Sequence, residues 1–332
     1  MTKVARFHKF GDPEVMQLDH IEIGEPGPGD VRLRVGAMGL NRVETMVRSG
    51  AYGEVALPSK LGYEAAGVIA ALGPGVSGWK VGDRVAVLFG LPMDVYGTNG
   101  EEILYPADML VPVPDGMSLT QAAASWMQYG TAYALIDLGL IKAGDHVVIN
   151  AASSSVGLAA IQIALDHKAV PLAVTRGRGK LAALKAHGAA HVIVSDEEDV
   201  TARIREITGG AGAQIAFDAV AGPGLAALLA GMAPRGIVIV YGMLGGTAFE
   251  LQLAALMGGN LTLHGFSANR LIEDKAARGK VIAYVAEGLA SGALSPVIDR
   301  TFALTEVAEA HRYLESNVQF GKIVLTTRAA GE

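Results

Sequence analysis

Two hydrophobic rhythms divide the chain. Up to about residue 120, short apolar runs such as 31–35, 65–72 and 84–88 are punctuated by glycine and proline, a spacing that predicts antiparallel strands in a barrel-like β domain. The run 24–30, Gly-Glu-Pro-Gly-Pro-Gly-Asp, reads as a loop, and Val81-Gly82-Asp83 places a turn just before the strand at Arg84. The rhythm changes at Ser118, where Ser118-Leu119-Thr120-Gln121 has capping-box spacing and the alanine-rich stretch 122–138 is predicted helical. From there strands at 146–150, 170–174, 191–194, 214–218, 237–241 and 261–264 alternate with helices at 156–167, 180–187, 200–208 and 224–232. Such alternation predicts a parallel, doubly wound sheet with crossover helices. An alanine-rich helix from about 276, another over 304–316 and a strand over 322–326 are expected to return to the first domain and leave a cleft between the two. The expected organisation is α/β: a β-barrel domain from 1–121 and 266–332, and a doubly wound domain from 122–265.

Composition narrows the class of function. A chain of 332 residues exceeds one ordinary core, in keeping with two domains of roughly 150 residues each. With 51% apolar and 18% charged residues it can bury a large interior. A net charge of −6 argues against a surface that neutralises nucleic-acid phosphates. The absence of cysteine excludes disulfides, cysteine nucleophiles and every cysteine-ligated zinc or iron–sulfur site. Residues 1–10 mix Lys3, Arg6, His8 and Lys9 among apolar positions, unlike the apolar h-region of a signal peptide. No stretch reaches the roughly 20 apolar residues of a membrane helix. A cytoplasmic protein with neither membrane nor nucleic-acid partner is expected.

The first strand of the alternating half runs into Asn150-Ala151-Ala152-Ser153-Ser154-Ser155-Val156-Gly157 and then an apolar helix. Small residues there let the backbone approach a pyrophosphate, and a helix N-terminus offers free N–H groups and partial positive charge. Ala151, Ser154 and Gly157 occupy the places of the three glycines of a dinucleotide fingerprint. A tight strand-to-helix turn without ligand uses the same residues. The second strand ends in Val174-Thr175-Arg176-Gly177-Arg178-Gly179-Lys180. An NAD site carries a carboxylate near this point for the ribose hydroxyl; here Thr175, Arg176 and Lys180 gather, as the 2′-phosphate of NADPH requires. A solvated basic turn is the alternative.

On these residues the chain resembles the zinc-free quinone oxidoreductase branch of the medium-chain dehydrogenase/reductase superfamily over nearly its full length. The matching segments are Gly39-Leu40-Asn41-Arg42-Val43-Glu44-Thr45, Arg48-Ser49-Gly50, Leu61-Gly62-Tyr63-Glu64-Ala65-Ala66-Gly67, Gly82-Asp83-Arg84-Val85, the serine-rich turn and Phe320-Gly321-Lys322-Ile323-Val324-Leu325. The resemblance implies a GroES-like catalytic domain, a Rossmann NADPH domain and a homodimer. It implies Asn41, Tyr52 and Thr131 near the nicotinamide and substrate, and cofactor contacts from Ser154, Ser155, Val156, Gly157, Thr175, Arg176, Lys180, Val220, Tyr241, Gly242, Phe266, Ser267 and Lys322. Zinc-dependent relatives place a cysteine and a histidine where this chain has Asn41 and Tyr63, so no metal is expected. Met46 and Ser195 depart from the tyrosines that some close relatives carry, in the substrate pocket and beside the 2′-phosphate respectively. Asn41 also reads as a loop asparagine making a turn, and Tyr52 as an aromatic with its hydroxyl in water.

Without a Lewis acid, alcohol oxidation loses its means of stabilising an alkoxide. Conjugated acceptors spread the incoming electron pair onto an oxygen that hydrogen bonds stabilise. The expected function is therefore NADPH-dependent hydride transfer to a small-molecule quinone or enone. The alternatives are a zinc-free reductase of another activated carbonyl or 2-alkenal, and a low-turnover dinucleotide-sensing or RNA-binding protein.

Overall fold

The computed structural model describes every residue except 54, 139–140, 252 and 329–332. Contacts divide the chain into two compact units: Met1–Met127 with Asn269–Ala290 and Pro296–Glu332, and Gln128–Ala268 with Ser291–Ser295.

In the first unit the long strand Asp30–Gly39 alternates as a strand with one buried face must: Val31, Leu33 and Val35 are fully buried between more exposed Arg32 and Arg34. Its sheet runs in the order Ile298–Ala303, Lys322–Thr326, Asp30–Gly39, Ala66–Leu72, Arg84–Val87 and Leu110–Pro112, with Glu102–Pro106 also paired to Asp30–Gly39. Register shifts between Asp30–Gly39 and Ala66–Leu72 bend the pair, as bulges do. The pairing of Lys322–Thr326 with Asp30–Gly39 is antiparallel, with Val324 opposite Gly39. That register carries Lys322 back to the residues just beyond Gly39. A smaller sheet joins Met16–Ile21, Thr2–Phe7 and Ser59–Lys60.

The second unit holds six strands, all parallel, in the order His191–Val194, Val170–Thr175, His146–Ile149, Ala213–Asp218, Met232–Val240 and Thr262–Gly265. This is the predicted doubly wound sheet. Its core residues Val148, Leu172, Ile193, Ala216 and Val238 are fully buried, as a parallel sheet covered on both faces requires. Strand order reverses beside His146–Ile149, the switch point at which such sheets bind ligands.

Several elements differ from the sequence reading. The helix expected over 122–138 is three short pieces, Leu119–Ala122, Trp126–Ala132 and Ala134–Asp137. The first break has a cause in side-chain chemistry: the Met127 N–H donates to Glu64 Oε1 at 2.7 Å, and Ser125 Oγ turns back onto the Gln121 carbonyl at 2.8 Å. The helix expected to reach Met232 ends at Ala230, and Met232 opens a strand interrupted by Pro234 and by Arg235 at φ +66°. The strand Ile298–Ala303 and the helix Leu253–Gly258 were not expected. The first is mostly exposed and carries Asp299 and Arg300, which conceals its period. Among the described residues no helix is long and apolar enough to cross a membrane.

Candidate functional site

The turn expected to hold the cofactor follows the strand His146–Ile149. Asn150 Nδ2 donates to Asp218 Oδ1 at 2.9 Å, while Asn150 Oδ1 accepts from the Ala151 N–H at 2.9 Å. Asp218, fully buried, also accepts from the N–H groups of Val220 and Ala221 at 3.0 and 2.8 Å. One carboxylate thus ties the loops after two neighbouring strands together. Ala151 takes φ +50°, a conformation a glycine adopts without strain. Ser154 caps the helix Ser155–Asp166, its Oγ accepting from the Gly157 N–H at 3.1 Å. A Cβ on Gly157 would stand 2.6 Å from the Ala152 carbonyl oxygen and 2.7 Å from that of Ala151. Only glycine lets this turn close on the helix, as the third glycine of a dinucleotide fingerprint does.

The residues expected around it fall as follows. Tyr241 stacks on Phe217 with centroids 4.0 Å apart. Among the described residues its buried hydroxyl makes no hydrogen bond of normal geometry, although Ser154 lies beside it, and burial pushes the phenol far above its usual range. Gly242 follows Tyr241 and packs against Ala219. The Phe266 N–H donates to the Val240 carbonyl at 2.8 Å, and Ser267 is exposed. Thr131 is buried on the helix Trp126–Ala132. At the end of the second strand Thr175 is buried and Lys180 Nζ donates to Ser153 Oγ at 3.1 Å. The two arginines there differ. Arg178 is paired with Glu197 at 2.5 Å, whereas the exposed Arg176 guanidinium has no ion pair or hydrogen bond among the described residues.

In the first unit Asn41 starts the helix Arg42–Ser49, and its surroundings are charged. The Asn41 N–H donates to Glu44 Oε1 at 2.8 Å. Asn41 Nδ2 donates to the Gly39 carbonyl at 3.1 Å and to Glu64 Oε2 at 3.2 Å, and Asn41 Oδ1 accepts from Lys322 Nζ at 2.8 Å. Lys322 also forms an ion pair with Glu64, both side chains 1% exposed. Asn99 Nδ2 donates to Glu44 Oε2 at 3.0 Å. Burial pushes the Glu44 carboxyl up to about 7, against the opposing pull of Asn99, Asn41 and Lys322. Asn41 therefore lies at the centre of a buried network that engages its whole amide, and Lys322 is enclosed in the same network. Tyr52, 49% exposed, leaves its ring open to solvent. Tyr63 is half-buried; burial raises its phenol, a hydrogen bond with Asn269 opposes that, and Tyr52 and Glu44 add to the rise.

Residues 27–115 match the alcohol dehydrogenase GroES-like domain family, and residues 187–325 match the family described as zinc-binding dehydrogenase. A 2-haloacrylate reductase from a Burkholderia species is 31% identical over 99% of this chain and 100% of its own. A quinone oxidoreductase from Pseudomonas aeruginosa is 33% identical over 98% and 99%. The chain belongs to the zinc-free quinone oxidoreductase branch of the medium-chain dehydrogenase/reductase superfamily. The crystal structure of Escherichia coli quinone oxidoreductase complexed with NADPH superposes with a TM-score of 0.90 at 29% identity, covering 98% of this chain and 99% of that one. This member of the medium-chain superfamily is accordingly an oxidoreductase, with a GroES-like domain and a Rossmann-type sheet.

One of the two matched families takes its name from zinc, yet this oxidoreductase has no cysteine. Among the described residues no group of three or more histidine, aspartate or glutamate side chains is arranged to hold a metal ion. Sequence reasoning assigned no role to Glu44, Glu64 and Asn99. Their signals were present: Asn41 and Glu44 have capping-box spacing, and Glu64 and Lys322 are opposite charges set inside apolar runs.

Proposed function

We propose that this oxidoreductase uses NADPH to reduce a conjugated acceptor, a quinone or an enone, without a metal ion. The observation that carries the reading is the turn at Ala151–Gly157, where a positive-φ alanine, a glycine with no room for a Cβ and a capped helix start form a backbone cradle. The buried Tyr241 hydroxyl, beside Ser154 and without a well-formed hydrogen bond among the described residues, adds a polar group for a ligand to satisfy. NADPH, when bound, supplies a hydride. The N–H groups at the start of the helix Ser155–Asp166 hold its pyrophosphate, and Arg176, uncommitted and exposed, takes the 2′-phosphate with Lys180 and Thr175 nearby. The NADPH in a relative of the same fold supports the fit.

Reduction of a conjugated acceptor leaves negative charge on its oxygen, which a positioned hydroxyl can stabilise and protonate. Tyr52 has an accessible hydroxyl for that task. Asn41 is committed to Lys322, Glu64 and Gly39, so its proposed part is to hold the loop in shape. The positions of the family's zinc ligands hold Asn41 and Tyr63, which favours acceptors whose own conjugation spreads the charge. The names of the relatives point to the same chemistry, since both quinones and 2-haloacrylates carry a double bond conjugated to an oxygen-bearing group.

The test is steady-state NADPH oxidation by chelator-treated protein against quinones, enones and simple aldehydes, with alcohols and NADP⁺ assayed in reverse. Turnover confined to the conjugated acceptors is expected. Turnover confined to the alcohol–aldehyde pairs, or restored only by added zinc, overturns the proposal.

A further inference from the structure

We infer that Ser153 is a positioning residue for Lys180, and that its hydroxyl sets how strongly the end of the second parallel strand favours a nucleotide carrying a 2′-phosphate. The inference deepens the NADPH reading above and rests on it. Every residue involved belongs to the second unit.

The loops that follow the first three strands of the parallel sheet are tied to one another. The Ala152 N–H donates to the Val174 carbonyl at 3.1 Å, the Ser195 N–H to the Thr175 carbonyl at 2.9 Å and the Asp196 N–H to the Arg176 carbonyl at 3.2 Å. The backbone through Arg176 is thereby held from both sides. Beyond it, Gly177 and Gly179 have no heavy atom within 4 Å of the place of a Cβ, and a glycine on each side of Arg178 gives the segment wide backbone freedom. Side chains hold it there: Arg178 pairs with Glu197 at 2.5 Å, and Lys180 Nζ donates to Ser153 Oγ at 3.1 Å.

These two ties differ in what they do to the cation. Glu197 neutralises Arg178. Ser153 carries no charge, so its bond directs the Lys180 ammonium without cancelling it, and uses one of the three donors an ammonium has. Closing the turn does not explain the bond, because Ser154 caps the helix Ser155–Asp166, its Oγ accepting from the Gly157 N–H. Ser153 directly precedes that cap, so the turn proposed to receive the pyrophosphate also aims the lysine proposed to lie near the 2′-phosphate. Ordering a free, rotamer-rich side chain at the moment of binding lowers affinity roughly 2- to 10-fold. A lysine already directed by Ser153 is ordered before the ligand arrives.

The test titrates the full chain, by calorimetry, with two nucleotides that differ only at the 2′-position: adenosine 2′,5′-bisphosphate and adenosine 5′-phosphate. Wild type should bind the bisphosphate at least about 10-fold more tightly. Ser153→Ala should reduce that ratio roughly 5-fold, with the Kd for adenosine 5′-phosphate within about twofold of wild type. Ser153→Thr keeps a hydroxyl and should retain most of the ratio. Lys180→Ala should lose at least as much as S153A, and S153A/K180A should bind the bisphosphate no more weakly than K180A, since a residue that acts through the lysine has nothing to direct once the lysine is gone. An unchanged ratio in S153A overturns the inference. So does an equal loss for both nucleotides, or a threonine variant as poor as the alanine one. A double variant that falls below K180A by the full S153A factor also overturns it, because Ser153 would then meet the phosphate itself. A wild-type protein that does not distinguish the two nucleotides overturns the underlying 2′-phosphate reading instead.

Discussion

The turn at Ala151–Gly157 and the network around Asn41 hold their geometry by opposite means. The turn is made of backbone, small side chains and one buried carboxylate, Asp218, whose partners lie in adjacent loops. The network is made of charges from positions 44, 64 and 322, joined by the Asn41 and Asn99 amides. Backbone groups bind whatever fits their shape, which is why the proposed cofactor contacts fall in the first region. Side-chain charges in a dry interior first satisfy each other, as Glu64, Lys322 and Glu44 do with the Asn41 amide, while the buried Asn99 Oδ1 has no hydrogen-bond partner among the described residues. Tyr52, 49% exposed, stands outside that network.

The sharpest way to break this comparison is to remove one charge from the network. Lys322→Met leaves Glu64 buried without its counter-ion, and truncating one partner of such a pair costs about 3–5 kcal/mol. Denaturant unfolding should report a loss of that order, with most of it regained in E64Q/K322M. A loss below about 1 kcal/mol would mean that water reaches Glu64. The same substitution should leave the isolated geometry of the cofactor turn, and hence NADPH affinity, nearly unchanged.

Acidity distinguishes the network from a second buried cluster on the same helix. Arg48, on the helix Arg42–Ser49, donates to His311 Nδ1 at 3.1 Å and pairs with Glu315 at 2.6 Å. Burial, with help from the Arg48 charge, pushes His311 down to about 3. Its Nε2 is buried without a partner among the described residues. Below an unfolded-state value of about 6.5 the unfolded chain takes up a proton that folded His311 refuses, so its contribution to stability falls as pH drops from there. Glu44 has the opposite sign. Its folded value near 7 lies above the unfolded 4.5, so its stabilising contribution is complete below 4.5 and is lost as pH rises through about 7. Stability measured by denaturant from pH 4 to 9 should therefore lose an alkaline limb, on the order of 3 kcal/mol, in Glu44→Gln and an acid limb in His311→Gln. A pH profile unaltered by either substitution would show that neither group is held away from its usual range.

How much of this was legible in the sequence follows from the same contrast. The strand, turn and helix around Ala151–Gly157 could be read because they are contiguous between 146 and 167, and the periodicity of each flank is intact. The alternating strands and helices of the second unit were legible for that reason. The Asn41 network was not, because 281 positions separate Asn41 from Lys322 and only the pairing of Lys322–Thr326 with Asp30–Gly39 joins them. The break in the expected 122–138 helix has the same origin, since it is the distant Glu64 that takes the Met127 amide. The free Arg176 and the committed Arg178, two residues apart, also look alike until Glu197 is in place.

On the cofactor side the corresponding break is Gly157→Ala, whose new methyl group meets two carbonyl oxygens of the turn. NADPH affinity should fall by roughly 30-fold, about 2 kcal/mol, as read by fluorescence titration, with kcat at saturating cofactor much less affected. Affinity unchanged would place the dinucleotide elsewhere. A smaller effect sharpens the reading of the strand end: Arg176→Ala should weaken NADPH by about 10-fold, close to 1.4 kcal/mol, and leave NADH alone. Arg178→Ala should change either cofactor by less than about twofold, because Glu197 already holds that guanidinium. Equal losses for both arginines, or for both cofactors, would contradict the assignment of the 2′-phosphate to Arg176.

The most direct test of the central claim follows the hydride itself. Chelator-treated protein is given NADPH deuterated at the transferring position together with an α,β-unsaturated ketone, and the product is analysed by mass spectrometry and NMR. The account predicts one deuterium at the β-carbon, a proton from solvent at the α-carbon, and no dependence on added zinc. Deuterium at the carbonyl carbon, giving an allylic alcohol, or transfer that appears only when zinc is restored, would contradict it.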